Sequence, residues 1–271
     1  MLIGGFQKFS LIDYPDKLSS IVFAAGCNFR CGYCHNPELV DPKRFGKFIS
    51  EKEVLSFLKG RQKKLDAVVI TGGEPTLQAD LPDFMAKLKK LGFLAKLDSN
   101  GSNPKVLKKI IDGHLADYLA MDIKGPLEKY SEIACVKVEP RRRESAAPLI
   151  SAAGRNPAPK ANSLTIHPST GADGFLVRWV NPADIQESVK LIMDSGLDYE
   201  FRTTVVKDQL SKKDFVKIGE LINGAKLYVL QKFVPSKVIN QDFLKKKTYS
   251  DRDFDGLKHL MEKYVQKCAV R

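Results

Sequence analysis

Hydrophobic and polar positions alternate along the 271-residue chain in a repeating order. Apolar runs of strand length occur at 20–25 (SIVFAA), 65–73 (LDAVVITGG), 93–101 (FLAKLDSNG), 117–125 (DYLAMDIKG), 199–206 (YEFRTTVV) and 225–234 (AKLYVLQKFV). Elsewhere apolar residues recur three or four apart, the helical period: at 50–60, 81–92, 104–113, briefly near 126–134, and at 183–196, 211–224 and 251–267. Local signals agree with these assignments. Ser50 stands as an N-cap with Glu53 three residues on, a capping box. Gly92 stops one helix and Pro104 starts another.

Strands each followed by helix imply a parallel sheet with right-handed crossovers. Six such units are fewer than the eight of a closed barrel. The expected fold class is therefore α/β: a partial, TIM-like (β/α)6 barrel, an open curved sheet with outer helices. Chemistry in such barrels sits at the C-terminal ends of the strands. The conspicuous residues fall there: three cysteines after the first strand, GGEP after the second, DSNG ending the third, MDIKG ending the fourth, and Arg202 and Gln231 in the last two.

The order breaks once, over 138–181, a stretch rich in Pro, Ala, Ser and Arg with no sustained period. That composition predicts a disordered insertion within a single domain spanning 1–271.

Hydrophobic content of 43% and charged content of 28% are those of a soluble globular chain. No run approaches the ~20 apolar residues of a membrane span, and the first residues carry no signal-peptide pattern, so a cytoplasmic location is expected. The net charge is +12. Lysines come in helical runs (Lys87, Lys89, Lys90; Lys105, Lys108, Lys109; Lys245, Lys246, Lys247), which read as solvated faces or as a docking surface for acidic partners. No basic-plus-aromatic motif appears, so no nucleic-acid partner is expected.

Of five cysteines, Cys27, Cys31 and Cys34 lie within eight positions, and Cys135 and Cys268 stand alone. A disulfide framework fits that count poorly. A zinc site would want a fourth ligand, and His35, adjacent to Cys34, would strain to reach the same ion. Three thiolates on a four-iron cluster instead leave one iron open for a ligand. Cys135 and Cys268 read as plain thiols, Cys268 near a frayed terminus.

The C-x3-C-x2-C spacing, with Tyr33 before the last cysteine, resembles the signature of the radical S-adenosylmethionine (SAM) superfamily. The resemblance implies one [4Fe-4S] cluster on Cys27, Cys31 and Cys34, with SAM chelated at the open iron and split by one electron to a 5′-deoxyadenosyl radical. It also implies that the stretch Gly72, Gly73, Glu74 holds the SAM amino group. Lacking Cβ, the glycines allow a close backbone approach, and an ordinary strand-end turn would explain them but not the acid. Asp98 and Asp122 end neighbouring strands, and two carboxylates facing one pocket repel unless a cation or Lys lies between them. By resemblance, Asp98, Ser99 and Asp122 would hold a monovalent cation beside the SAM carboxylate, and Lys124 and Arg202 would lie against SAM. The plainer readings are strand-end caps and salt bridges, with Arg202 paired to Glu200 or an Asp.

The combination SLIDYPDKL, GCNFRCGYCHNPEL, YEFRTTVV and YVLQKFVP resembles activating enzymes of glycyl radical enzymes, anaerobic ribonucleoside-triphosphate reductase activating proteins above all. That implies an oxidoreductase that places a glycyl radical on a partner reductase, with flavodoxin or ferredoxin as electron donor. The alternatives are an activating enzyme of another glycyl radical enzyme, such as pyruvate formate-lyase, a radical SAM enzyme acting on a small molecule, or a zinc-dependent structural module.

Overall fold

The computed structural model describes residues 1–138 and 179–271. In chain order the elements are β1 (Ile3–Ser10), β2 (Ser19–Ala24), α1 (Pro37–Val40), α2 (Glu51–Lys59), β3 (Ala67–Gly72), α3 (Leu81–Lys90), β4 (Leu94–Ser99), α4 (Pro104–Asp112), β5 (Tyr118–Asp122), α5 (Tyr130–Ile133), β6 (Lys137–Val138), β7 (Trp179–Val180), α6 (Pro182–Asp194), β8 (Asp198–Val205), α7 (Lys212–Leu221), β9 (Tyr228–Lys232), α8 (Asp251–Met261) and β10 (Cys268–Val270).

Eight strands form one open sheet in the order β1-β2-β3-β4-β5-β8-β9-β10. The six strands expected from the pattern form its parallel body, each crossing over to the next through helices. Two more were not foreseen. β1 pairs antiparallel with β2 at one edge, and β10 adds parallel to β9 at the other. β1 carries Gly4 and Gly5, residues that weaken a strand reading; a Cβ on Gly4 would sit 2.5 Å from Leu39 Cδ2, so the chain crosses under the cysteine segment there. The last helix ends at Met261, before the expected 267, and Cys268 is 3% exposed within β10 rather than frayed. Cys135 is exposed.

Helix starts follow their caps. Ser50 Oγ accepts from Glu53 N–H at 3.2 Å, and Ser211 with Asp214 and Ser250 with Asp253 form full capping boxes. Along each strand alternate side chains face opposite ways. One face meets the helices: Val22, Val68, Ile70, Leu97, Met121 and Phe201 pack with Leu58, Phe84 and Ile110 in the main core. The other face lines the barrel interior, where Tyr14, Ile21, Ala67, Val69, Tyr118 and Ala120 form a separate apolar plug. Above that plug the interior turns polar, and there the site lies.

The expected insertion at 138–181 lies outside the described residues except at its ends. Lys137 and Val138 pair in parallel with Trp179 and Val180. Val180 is buried, and Asn181 caps α6, accepting from Ala183 N–H at 3.0 Å. The described chain resumes at Trp179.

Among the described residues no helix is long and apolar enough to cross a membrane.

Candidate active site

A cavity of about 270 Å³ opens at the C-terminal ends of the strands, and its lining includes Cys27, Cys31, Tyr33, Cys34, Gly72, Gly73, Glu74, Asp98, Ser99, Asp122, Lys124 and Arg202. All twelve residues singled out in the sequence thus meet at one place. They come from five segments 175 positions apart, and the parallel register brings them level: Ala24 pairs with Gly72, Ser99 with Met121, and Asp122 with Arg202.

The cysteine loop leaves β2 and is pinned from several sides. Arg30 Nη1 donates to the carbonyls of Cys27 and Phe29, both at 2.8 Å, and Arg30 N–H donates to Ala134 O at the end of α5. Asn28 reaches across to the end of β4: Nδ2 donates to Ser102 Oγ at 2.8 Å, and Oδ1 accepts from Asn100 Nδ2 at 2.9 Å. Nothing in the sequence pattern gave Asn28 or Asn100 a role, although DSNG contains Asn100. On the outer side, Asn240 N–H donates to Gly32 O at 3.0 Å, and a Cβ on Gly32 would meet the Phe243 ring at 2.4 Å. His35 stacks on Phe233 at 5.8 Å between centroids, and its Nδ1 contacts Lys237 O and Ser236 Oγ at 3.1 and 3.2 Å. That nitrogen is committed to segment 236–237.

Burial pushes the Cys27 thiol up to about 12, against a partly offsetting hydrogen bond from Phe29 N–H. It pushes Cys31 to about 11, with Lys124 opposing, and raises Cys34 as well. Three sulfurs so placed take up charge only opposite a strongly positive centre, which an iron–sulfur core provides. Among the described residues no three His, Cys, Asp or Glu side chains converge as ligands of one ion. Three thiols lining one cavity are a donor set that fits an iron–sulfur cluster. Tyr33 Oη, buried beside this region, makes no hydrogen bond among the described residues, which fits a polar ligand; Asp98 Oδ1 makes none either but lies 3.4 Å from Lys96 Nζ.

Two features add detail to the expectations. The glycines of GGEP serve the protein's own backbone. Gly72 has φ +111°, and a Cβ there would lie 2.6 Å from Ala24 N and O; one on Gly73 would lie 2.0 Å from Gly26 O. Their absence lets Gly73 N–H donate to Ala24 O and Glu74 N–H to Gly26 O, both at 2.8 Å. Glu74 is 1% exposed, and its carboxylate is already engaged. Oε1 accepts from Thr76 N–H (3.1 Å), Thr76 Oγ1 (2.5 Å) and Ser99 Oγ (2.9 Å), and Oε2 from Asn100 N–H (2.6 Å). It staples β3 to β4, and Ser99 is spent on it. What this stretch turns toward a ligand is backbone.

The second concerns Asp98 and Asp122. The positive charge they require is supplied by the chain. Arg202 Nε donates to Asp122 Oδ1 at 2.9 Å and Nη1 to Asp98 Oδ2 at 3.2 Å; Lys124 Nζ donates to Asp122 Oδ2 at 3.0 Å. Burial disfavours the Asp122 charge, but Arg202 and Lys124 outweigh it and hold the carboxyl well below the usual range. Asp122 likewise holds the Lys124 ammonium well above the usual lysine value. The guanidinium thus supplies positive charge between the two carboxylates.

Three thiols, a carboxylate–guanidinium bridge and a lysine thus line one cavity at the C-terminal ends of the parallel strands. The family model described as the radical SAM superfamily matches residues 21–176, more than half the chain, and the chain belongs to that superfamily. Membership makes it a radical SAM enzyme and implies SAM and a [4Fe-4S] cluster as cofactors.

A protein of Methanocaldococcus jannaschii, provisionally named a glycyl-radical enzyme activating enzyme, is 29% identical over 272 residues, covering 100% of this chain and 95% of its own. The pyruvate formate-lyase-activating enzyme of Clostridium pasteurianum is 30% identical over 127 residues, 45% of this chain and 52% of that protein. A 7-carboxy-7-deazaguanine synthase of Methanothermobacter thermautotrophicus is 37% identical over 102 residues, 37% of this chain and 39% of that one. Among solved structures, Streptococcus suis SuiB bound to precursor peptide SuiA superposes with a TM-score of 0.59 at 13% identity over 93% of this chain. This chain spans about half of that one, 48%, and the likeness is one of fold.

Proposed function

We propose that the protein is a radical SAM activating enzyme that generates a glycyl radical on a partner enzyme, an anaerobic ribonucleoside-triphosphate reductase. The glycyl-radical part of this reading rests on the end-to-end correspondence with the M. jannaschii protein, which covers all of this chain; the choice of ribonucleotide reductase rests on the motif resemblance of SLIDYPDKL, GCNFRCGYCHNPEL, YEFRTTVV and YVLQKFVP. The relatives that act on small molecules by name align only with a part of the chain. The alternative partner is another glycyl radical enzyme such as pyruvate formate-lyase, supported by the shorter match to its activating enzyme.

In this reading Cys27, Cys31 and Cys34 hold the cluster, which when bound supplies the electron for reductive cleavage of SAM. The chain's own groups do the rest. Lys124, its charge secured by Asp122, offers an ammonium to the SAM carboxylate. The backbone of Gly72–Glu74 offers its carbonyls to the amino group. Arg202 keeps Asp98 and Asp122 from repelling one another at the wall. Tyr33 and Phe29 close the cavity side against water. The sheet is open, its edge strands β1 and β10 unpaired to each other, which leaves a flank through which a partner's peptide loop could enter. An acidic flavodoxin or ferredoxin as electron donor would suit the net charge of +12. The whole of 1–271 acts as one domain.

The test is anaerobic incubation of the reduced, iron-loaded protein with SAM and a candidate reductase, read by electron paramagnetic resonance (EPR). A glycyl radical on the ribonucleotide reductase supports the reading. A radical on pyruvate formate-lyase alone selects the alternative partner, and SAM cleavage with no protein radical on either rejects both.

A further inference from the structure

Beneath the cavity lies a second layer of charge with no part in the reading above. Lys96 and Glu200 sit two residues before Asp98 and Arg202 on β4 and β8, so they share the interior face one pleat lower. Lys96 is 3% exposed and Glu200 0%. Lys96 Nζ donates to Asp13 O at 2.6 Å and stands 3.4 Å from Asp98 Oδ1 and 3.9 Å from Glu200 Oε1. Glu200 meets Arg271 Nη2 at 2.9 Å and Nη1 at 3.1 Å, the Tyr118 hydroxyl at 3.4 Å, and Arg202 Nη1 at 3.9 Å.

Arg202 is therefore claimed from two sides. Asp98 and Asp122 hold it at the cavity wall, and Glu200 draws it downward. A buried carboxylate left without its cation carries a large desolvation cost, so the cation that satisfies Glu200 decides where Arg202 rests. Arg271 is half-exposed, with 48% of its side chain in solvent, and water screens its share. Lys96 is buried and touches both acids.

We propose that Lys96 is a positioning residue for SAM binding: by neutralising Glu200 and Asp98 from below, it leaves Arg202 committed to bridging Asp98 and Asp122, which holds Lys124 in its binding geometry. This rests on reading the cavity as the SAM site. It also gives the SLIDYP stretch a role. The Asp13 carbonyl anchors Lys96, and Tyr14, 5.7 Å from Tyr118 between ring centroids, closes the barrel floor around it.

The experiment is calorimetric titration of SAM into the anaerobic, iron-loaded full chain, as wild type, Lys96→Met, Glu200→Gln and the double variant. Lys96→Met should weaken SAM binding about tenfold, about 1.4 kcal/mol, with iron content and the SAM-free EPR spectrum of the reduced cluster unchanged. Glu200→Gln should bind as tightly as wild type or tighter, because it removes the competing pull. The double variant should recover to within about threefold of wild type, the non-additivity of two groups acting on one partner. Wild-type affinity in Lys96→Met overturns the proposal. A double variant as weak as Lys96→Met also overturns it, since a merely structural loss would not be rescued. Should Lys96→Met fail to take up iron, Glu200→Gln decides alone: a tenfold loss there makes Glu200 a support rather than a competitor and overturns the proposal, whereas tighter binding upholds it. A wild-type protein that loads iron but binds no SAM would instead overturn the reading of the cavity.

Discussion

Glu74 offers the sharpest test of how the site is built, because two accounts of it predict different losses. As a ligand contact, its removal costs SAM affinity and little else. As a staple, its removal costs the fold. Glu74→Ala leaves the N–H groups of Thr76 and Asn100 without their acceptor in a buried place. Each such donor costs about 1–3 kcal/mol, roughly 2–6 kcal/mol together; the hydroxyls of Thr76 and Ser99 can turn elsewhere. Relief of a buried carboxylate, whose pKa burial raises, offsets part of this, leaving about 2–4 kcal/mol. For a chain of this size that lowers the melting temperature by roughly 4–16 °C. Glu74→Gln preserves the shape but sets an amide NH2 against at least one donor, so about half the loss is expected. The assay is thermal unfolding of the iron-free protein by circular dichroism, with SAM titration of the iron-loaded protein beside it. An alanine variant that melts within about 2 °C of wild type, loads iron, and binds SAM ten- to a hundredfold more weakly would refute the staple.

Replacing Cys27, Cys31 or Cys34 with Ala should abolish iron loading, whereas Cys135→Ala and Cys268→Ala should load iron fully, with a stability loss confined to the buried Cys268; loss of iron in Cys135→Ala would overturn the three-thiolate assignment. Lys124→Met should weaken SAM binding about ten- to a hundredfold, equivalent to the roughly 1.5–3 kcal/mol of a charge-assisted hydrogen bond, at unchanged iron content; undiminished affinity would remove it from the site. Because Arg202 and Lys124 outweigh burial and depress the Asp122 pKa, the stability this group contributes is present above the unfolded carboxylate value of about 3.9 and is lost as pH falls toward the folded value. Asp122→Asn should then be less stable than wild type in urea at pH 7, with the gap narrowing below about pH 4; a gap constant with pH would contradict the ion pairing. Replacing 139–178 with a short Gly/Ser linker should preserve folding and iron loading, because β6 and β7 already lie side by side. The cut must stop before Trp179, which begins β7, and Asn181, which caps α6; an insoluble or iron-free product would make the segment part of the fold.

Period and order in the sequence carried the strands and helices of the barrel, since a half-buried strand or helix must show its period whatever surrounds it. They also carried the site's location, because parallel strands deliver their C-terminal ends to one rim. The cysteine spacing was equally local: three thiols on a short loop announce a cluster without any distant contact. Two kinds of feature lay beyond that reach. The edge strands escaped because β1 is interrupted by Gly4 and Gly5 and β10 is only three residues long, so each exists by virtue of a neighbour already in place.

The pairing of Arg202 with Glu200 or an Asp was legible, and Arg202 meets Asp98, Asp122 and Glu200; the full set of contacts of the charged groups was not, for a related reason. Sequence places Glu74, Asp98, Asp122 and Arg202 near one another but not in order of contact. Whether an acid meets a ligand, a cation or a backbone N–H depends on which donors reach it first, and those donors sit on other strands. Only the folded sheet puts Asn100 N–H against Glu74, a guanidinium between Asp98 and Asp122, and Lys96 beneath them both. Pattern along the chain decided which residues form the site; registry between strands decided what each of them holds.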